Sequence, residues 1–413
     1  MFNGVCKYNA THRFARFTTK SENPINFNMI ALSCDRPSRL LLGQQNPWEH
    51  MLNRVQSKGR QPINTILHIG DQIYPDDEDI QDADKIFNEI YDKCSFSKQI
   101  LMMQRGRELW RNKYRKVFSA TAKASLMSKV SNLMIWSDND VANDFTTMKN
   151  KDGTQKYHPN FLKCGMRTYR EYQRRLWDPM CSLDIKKEDV KEWHSHIYGS
   201  IGIFMFDLRG NRITSDGVQM SENSLLSSQQ WDDLENLFRN PSLRAIVLCS
   251  ETPFVGDEPI TCRQKVEKTL DMSFLRDHWP FNETELISLL NLCFSWKLEG
   301  EKRGIGRDLL LLGGDIHCGV TSVIRDNETG LTLNHITTSP VTNHVCEYFP
   351  PPSGNISERY TFSHLPLGEQ FRNYADVRIN IEDEDVFIHA KLIPISTDIF
   401  KNNTWTCRHS TVL

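Results

Sequence analysis

Short, continuous apolar runs recur along this chain, and each is cut off by glycine or by a side chain with chemistry in it. The runs lie at 27–34, 65–71, 132–136, 201–207, 244–250 and 308–315. Runs of this length without polar alternation read as strands buried on both faces, the pattern of a parallel sheet. Between them lie helical patterns at 82–93, 104–118, 229–238 and 283–296, with Ser228 as the expected N-cap of the third. Strands alternating with helices predict an α/β fold. Near the end, 376–381 and 385–392 alternate apolar and polar residues and read as half-buried antiparallel strands. Two long connectors remain, 143–191 and 251–284, and 350–354 reads as irregular.

The 413 residues suit one large domain or two. We expect an N-terminal extension or a remnant of a preceding domain over 1–26, the main domain over 27–395 and a tail over 396–413. A formal net charge of −2 supplies no bulk attraction to nucleic acid or an anionic membrane. No stretch reaches the ~18 apolar residues of a membrane span. The first residues lack the pattern of a secretory signal, which favours the cytoplasm. The eleven cysteines include no C-x-x-C pair, so free thiols are expected rather than a disulfide scaffold or a zinc knot.

Ligands of α/β sheets gather beyond the carboxyl ends of the strands. Cys34, Asp71, Asp138, Asp315 and His317 all fall there. One strand-ending aspartate is ordinary turn chemistry. Several carboxylates meeting in one crevice repel each other unless a cation lies between them. Carboxylate and imidazole donors suit Zn, Mn, Fe or Mg, and a thiolate at Cys34 or a phenolate at Tyr74 favours iron or zinc. Each residue has an ordinary alternative: Cys34 as a small buried hydrophobe, Tyr74 as packing, His317 as a core histidine. No G-x-x-x-x-G-K-[ST] loop and no G-x-S-x-G elbow occurs, which disfavours a nucleotide-binding or serine-hydrolase reading.

These segments, in this order, resemble the PhoD-like (alkaline phosphatase D) metallophosphatases of the calcineurin-like phosphoesterase superfamily. The resemblance is carried by Ser33-Cys34-Asp35-Arg36, Gly70-Asp71-Gln72-Ile73-Tyr74, Trp136-Ser137-Asp138-Asn139-Asp140 and Phe206-Asp207-Leu208-Arg209. It continues through Arg276-Asp277-His278-Trp279, Gly314-Asp315-Ile316-His317 and 338–343. It implies a four-layer αββα sandwich and two metal ions (Fe, Zn, Mn, Mg or Ca). The implied ligands are Cys34, Asp71, Tyr74, Asp138, Asp315 and His317, with Asp71 bridging. It also makes Arg36 and Arg209 candidates for phosphate contact or for structural support, and implies hydrolysis of phosphate mono- or diesters through a metal-bound hydroxide.

One departure bears on catalysis. The family motif W-D-D-H-[DE] places histidine where this chain has Asn139, and aspartate where it has Ser137. An amide hydrogen-bonds but does not act as an acid. A register shift of one residue would make Asn139 a ligand and Asp140 the acid, although Trp136 anchors the alignment against it. Asn139, Asp140 and His278 are therefore the candidate catalytic positions. A slow phosphoesterase and a catalytically silent relative that binds a phosphorylated ligand both follow from this departure.

Overall fold

The computed structural model describes residues 25–395 apart from 42, 58, 60, 76–77, 145–156, 185–190, 213–223, 347–349, 366–370 and 384. The expected N-terminal extension and the tail lie almost wholly outside these residues. Two sheets form the centre. In the first, β1 (Asn26–Leu32), β2 (Thr65–Ile69) and β3 (Ser131–Ile135) run parallel. The antiparallel pair β12 (Arg372–Glu382) and β13 (Asp385–Ile395) completes it on the β1 side.

The second sheet has the order β10-β11-β8-β9-β7-β6-β5-β4. Its parallel centre is β5 (Ile201–Met205), β6 (Ala245–Cys249), β7 (Asp308–Gly313) and β9 (Thr332–Thr337). The strands β4 (His194–Tyr198), β8 (Val320–Asp326), β10 (Ser353–Asn355) and β11 (Tyr360–His364) pair antiparallel at its flanks.

The inner faces of the two sheets share one core, in which Met29, Leu67 and Ile135 meet Ile203, Val247 and Leu312. Outside the first sheet, α1 (Pro47–Gln56) and α4 (Thr121–Met127) bury Trp48, Met51 and Leu126 against Ile30 and Ile66. Outside the second, α6 (Ser228–Arg239) and α8 (Glu283–Lys302) bury Leu234, Leu289 and Phe294 against Leu248 and Leu311. The four-layer αββα order is thus the expected one. Helices α2 (Glu78–Ile90), α3 (Phe96–Phe118) and α5 (Pro159–Tyr172) pack together through Phe87, Trp110, Tyr114 and Phe161, with Ile73 of the loop after β2.

Several local expectations need correction. The N-cap of α6 is Ser227, whose hydroxyl accepts from the Gln230 amide, and Ser228 is already helical. The connector 143–191 contains α5, and 251–284 contains α7 (Pro259–Lys268). Ser353 and Gly354, expected to be irregular, belong to β10, where they pair with Ser363 and Phe362.

Candidate metal centre

Cys34, Asp71 and Asp138 follow β1, β2 and β3, and Asp315 and His317 follow β7, so the carboxyl ends of both sheets supply the cluster. The backbone there is unusual. Cys34 (φ 58°), Asp71 (57°), Asp315 (70°) and His317 (53°) all lie in the left-handed region, and among the described non-glycine residues only Asp144 joins them. Such conformations cost of order 1–3 kcal/mol each and concentrate at functional sites.

The glycines of the two Gly-Asp motifs have separate reasons. Gly70 has φ 77°, and a Cβ there would stand 2.6 Å from that of Ser137. Gly314 lets the loop after β7 touch its neighbours, because a Cβ would meet Ser33 Oγ at 2.7 Å and the Ile69 carbonyl at 2.9 Å. Backbone bonds stitch the loops together: Asp35 N–H donates to the Asp71 carbonyl (2.8 Å), and Gly314 N–H to that of Glu251 (3.1 Å).

Two donor groups result, Cys34 with Asp71 and His317, and Asp71 with Asp138 and Asp315; within each, the ligand atoms lie no more than 4.8 Å apart. Asp71 belongs to both. Its Oδ2 accepts from the Tyr74 hydroxyl at 2.7 Å and lies 3.4 Å from the Cys34 thiol. Its Oδ1 is buried without a hydrogen-bond partner. Tyr74 Oη also lies 3.1 Å from His317 Nε2.

The electrostatics are those of crowded negative charge. Burial, then Cys34, Asp138 and Asp315, push the Asp71 carboxyl well above its usual range. Burial and Asp315 push the Cys34 thiol up to about 11. Burial and Asp71 raise the Tyr74 phenol well above its ordinary value, and burial lowers His317 although Asp315 opposes it. Burial outweighs Arg209 in raising Asp138. For Asp315 burial is overcome by His278, Arg209 and His317, and its carboxyl titrates low. A thiol, a phenol, three carboxylates and an imidazole around an unpartnered carboxylate oxygen fit divalent or trivalent cations, which relieve this repulsion.

The remaining candidates take different places. Asn139 is in the cluster: its Nδ2 lies 3.2 Å from Asp138 Oδ1 and 3.4 Å from Asp71 Oδ2, and its buried Oδ1 has no hydrogen-bond partner. His278, in the connection between β6 and α8, reaches it with Nε2 3.4 Å from Asp315 Oδ2. Asp140, expected as a candidate acid, is instead a buried clamp. Its oxygens accept the backbone N–H groups of Asp71, Gln72 and Ser137 (each 3.0 Å) and the Gln173 amide (2.7 Å). Burial still pushes it up to about 7.

Arg209, a candidate for phosphate contact or for structural support, lies beneath the cluster. It pairs with Glu251 (2.8 Å) and Asp277, and its Nη2 is 3.8 Å from Asp138. Arg36 is only partly buried, its guanidinium 5.2 Å from the Tyr74 ring centroid. Sequence reasoning passed over Glu251, although it follows the run 244–250 as Asp315 follows its own. It also passed over His344, whose Nε2 is 3.3 Å from His317 Nδ1; neither apolar patterning nor a motif marks it.

Comparison with known proteins agrees with this geometry. The family model described as PhoD-like phosphatase matches residues 29–382, and the chain belongs to that family, which makes it a phosphoesterase by membership. A solved structure described as that of PhoD superposes with a TM-score of 0.52 at 12% identity, over 95% of this chain and 74% of the other. At that identity the likeness is one of fold. No curated protein sequence matches the chain. The family is metal-dependent, in keeping with the two donor groups. Among the described residues no helix is long and apolar enough to cross a membrane.

Proposed function

We propose that this protein hydrolyses phosphate mono- or diesters at a centre of two metal ions held by Cys34, Asp71, Tyr74, Asp138, Asp315 and His317. The observation that carries the reading is the sharing of Asp71 between the two donor groups, which makes it the natural bridging carboxylate. Bound cations would supply Lewis-acid polarisation of the phosphoryl oxygens and activation of the attacking water. The protein's own residues hold the donors in place. Asp140 fixes the backbone at Asp71 and Gln72, and Arg209 offsets the charge of Asp138 from below. Arg36, partly buried beside Tyr74, is the better candidate for a phosphate oxygen, because Arg209 is committed to buried carboxylates.

Asn139 cannot protonate a leaving oxygen, so the reading favours esters with good leaving groups, with His278 as the nearest alternative proton donor. The test combines metal analysis of the purified protein with assays on an aryl phosphate and an aryl diester. Metal-dependent turnover is expected, and Asp71→Asn should abolish it. Turnover indifferent to that substitution would overturn the reading; two ions per chain without turnover would instead point to a phosphate-ester-binding relative.

A further inference from the structure

His317 meets two neighbours, Asn343 at the end of the segment 338–343 and His344 just beyond it. Its Nδ1 lies 3.3 Å from Nε2 of His344, with the rings edge-on at 89°. Its Nε2 lies 3.2 Å from Nδ2 of Asn343. The orientation of the Asn343 amide is itself fixed: the backbone N–H of His344 donates to Oδ1 at 2.8 Å, so that atom is the oxygen. The same oxygen lies 3.1 Å from His344 Nδ1.

The donors and acceptors then follow without choice. An amide oxygen only accepts, so His344 Nδ1 carries a hydrogen. An amide nitrogen only donates, so His317 Nε2 carries a lone pair and its hydrogen is on Nδ1. That hydrogen points to His344 Nε2, the free acceptor of the neutral ring. One asparagine thereby pins both rings, and His317 Nε2, whose lone pair accepts from Asn343 here, also lies 3.1 Å from Tyr74 Oη, which is bonded to Asp71.

We infer that His344 is a positioning residue: by accepting from Nδ1 it holds His317 in the tautomer and orientation that present Nε2 to a cation, and so sets metal affinity. This rests on the reading of His317 as a ligand. Outer partners of ligating histidines commonly act this way, and their loss typically lowers metal affinity or activity by about 10- to 100-fold. His344 is exposed on the side away from His317, so it can be changed without opening the core.

The test is titration of Zn²⁺ into the chelator-stripped full chain, in competition with a chromophoric chelator. His344→Ala and His344→Asn should each weaken Zn²⁺ binding by about 10- to 100-fold. His344→Gln, whose amide reaches the former position of Nε2 and can accept there, should stay within a few-fold of wild type. The melting temperature of the metal-free variants should stay at that of the wild type. His317→Ala is the control for the underlying reading. If it leaves Zn²⁺ affinity unchanged, the ligand assignment falls and this inference falls with it. If His317→Ala weakens binding but His344→Ala does not, the inference alone is overturned. Equal losses in the Ala and Gln variants would also overturn it, since an acceptor at that position would then not be what sets the affinity.

Discussion

Asn139 stands at the centre of the donor cluster without an acidic proton to give. Its amide approaches one oxygen of Asp71 and one of Asp138, so it tempers the meeting of two carboxylates without carrying charge. An imidazole at this place would add a titratable proton. We therefore expect Asn139→His to raise hydrolysis of an unactivated alkyl phosphate by about 10²-fold or more, and that of a nitrophenyl ester much less, because a good leaving group needs little protonation. Comparison of kcat on the two substrate types checks this; equal rates for variant and wild type on the alkyl ester would mean that His278 already serves. The donors themselves were legible residue by residue, because each follows an apolar run. The roles of Asp140 and Arg209 stayed open because sequence shows a charged side chain but not which way it turns. Asp140 turns back onto backbone N–H groups, and Arg209 turns down to Glu251 and Asp277.

At the scale of elements, the close approach at Gly314 joins the end of β7 to those of β1 and β2. An added methyl there collides with Ser33 and with the backbone at Ile69, two residues before Asp71. Overpacking of this kind typically costs about 1–3 kcal/mol. Gly330, in the turn between β8 and β9, provides the contrast: it has φ 77° but open space around the added methyl. Gly314→Ala and Gly330→Ala should both lower the urea midpoint, the second through left-handed strain of about 1–2 kcal/mol. Only Gly314→Ala should also reduce bound metal, as elemental analysis would show. Buried parallel strands were visible as apolar runs, whereas β8 and β9 were not, since buried Ser322 and His335 interrupt their apolar pattern. Helix α5 was hidden partly by Gly165 at its middle. Glycine weakens a helix by about 1 kcal/mol relative to alanine, but here a Cβ would strike Trp110 at 2.8 Å.

On the scale of the whole molecule, the two sheets are tied along one side by polar bonds as well as by their shared core. Trp136, just past β3, donates to Asp207, just past β5, at 2.8 Å. His194 of β4 bonds the Met134 carbonyl of β3 through Nε2 at 2.9 Å. A carbonyl only accepts, so Nε2 carries the hydrogen; in the neutral ring Nδ1, 2.8 Å from His196 Nε2, is then the acceptor. Burial, followed by the neighbouring His196, lowers His194 to about 3. The unfolded chain, by contrast, protonates this histidine near pH 6.5. Between those values the unfolded state binds a proton that the folded state refuses, so stability is lost as pH falls below about 6.5, by about 1.4 kcal/mol per pH unit from this residue alone. His194→Gln keeps an N–H donor within reach of Met134 and removes the titration. Relative to the variant, the wild type should therefore lose unfolding free energy at about that slope in urea titrations between pH 6 and 4. Parallel pH curves for the two proteins would show that His194 is not held neutral between the sheets. Buried carboxyl groups such as Asp140 and Glu251, raised mainly by burial, act in the opposite direction in both proteins, so the comparison must be the difference between variant and wild type and not the acid limb of either.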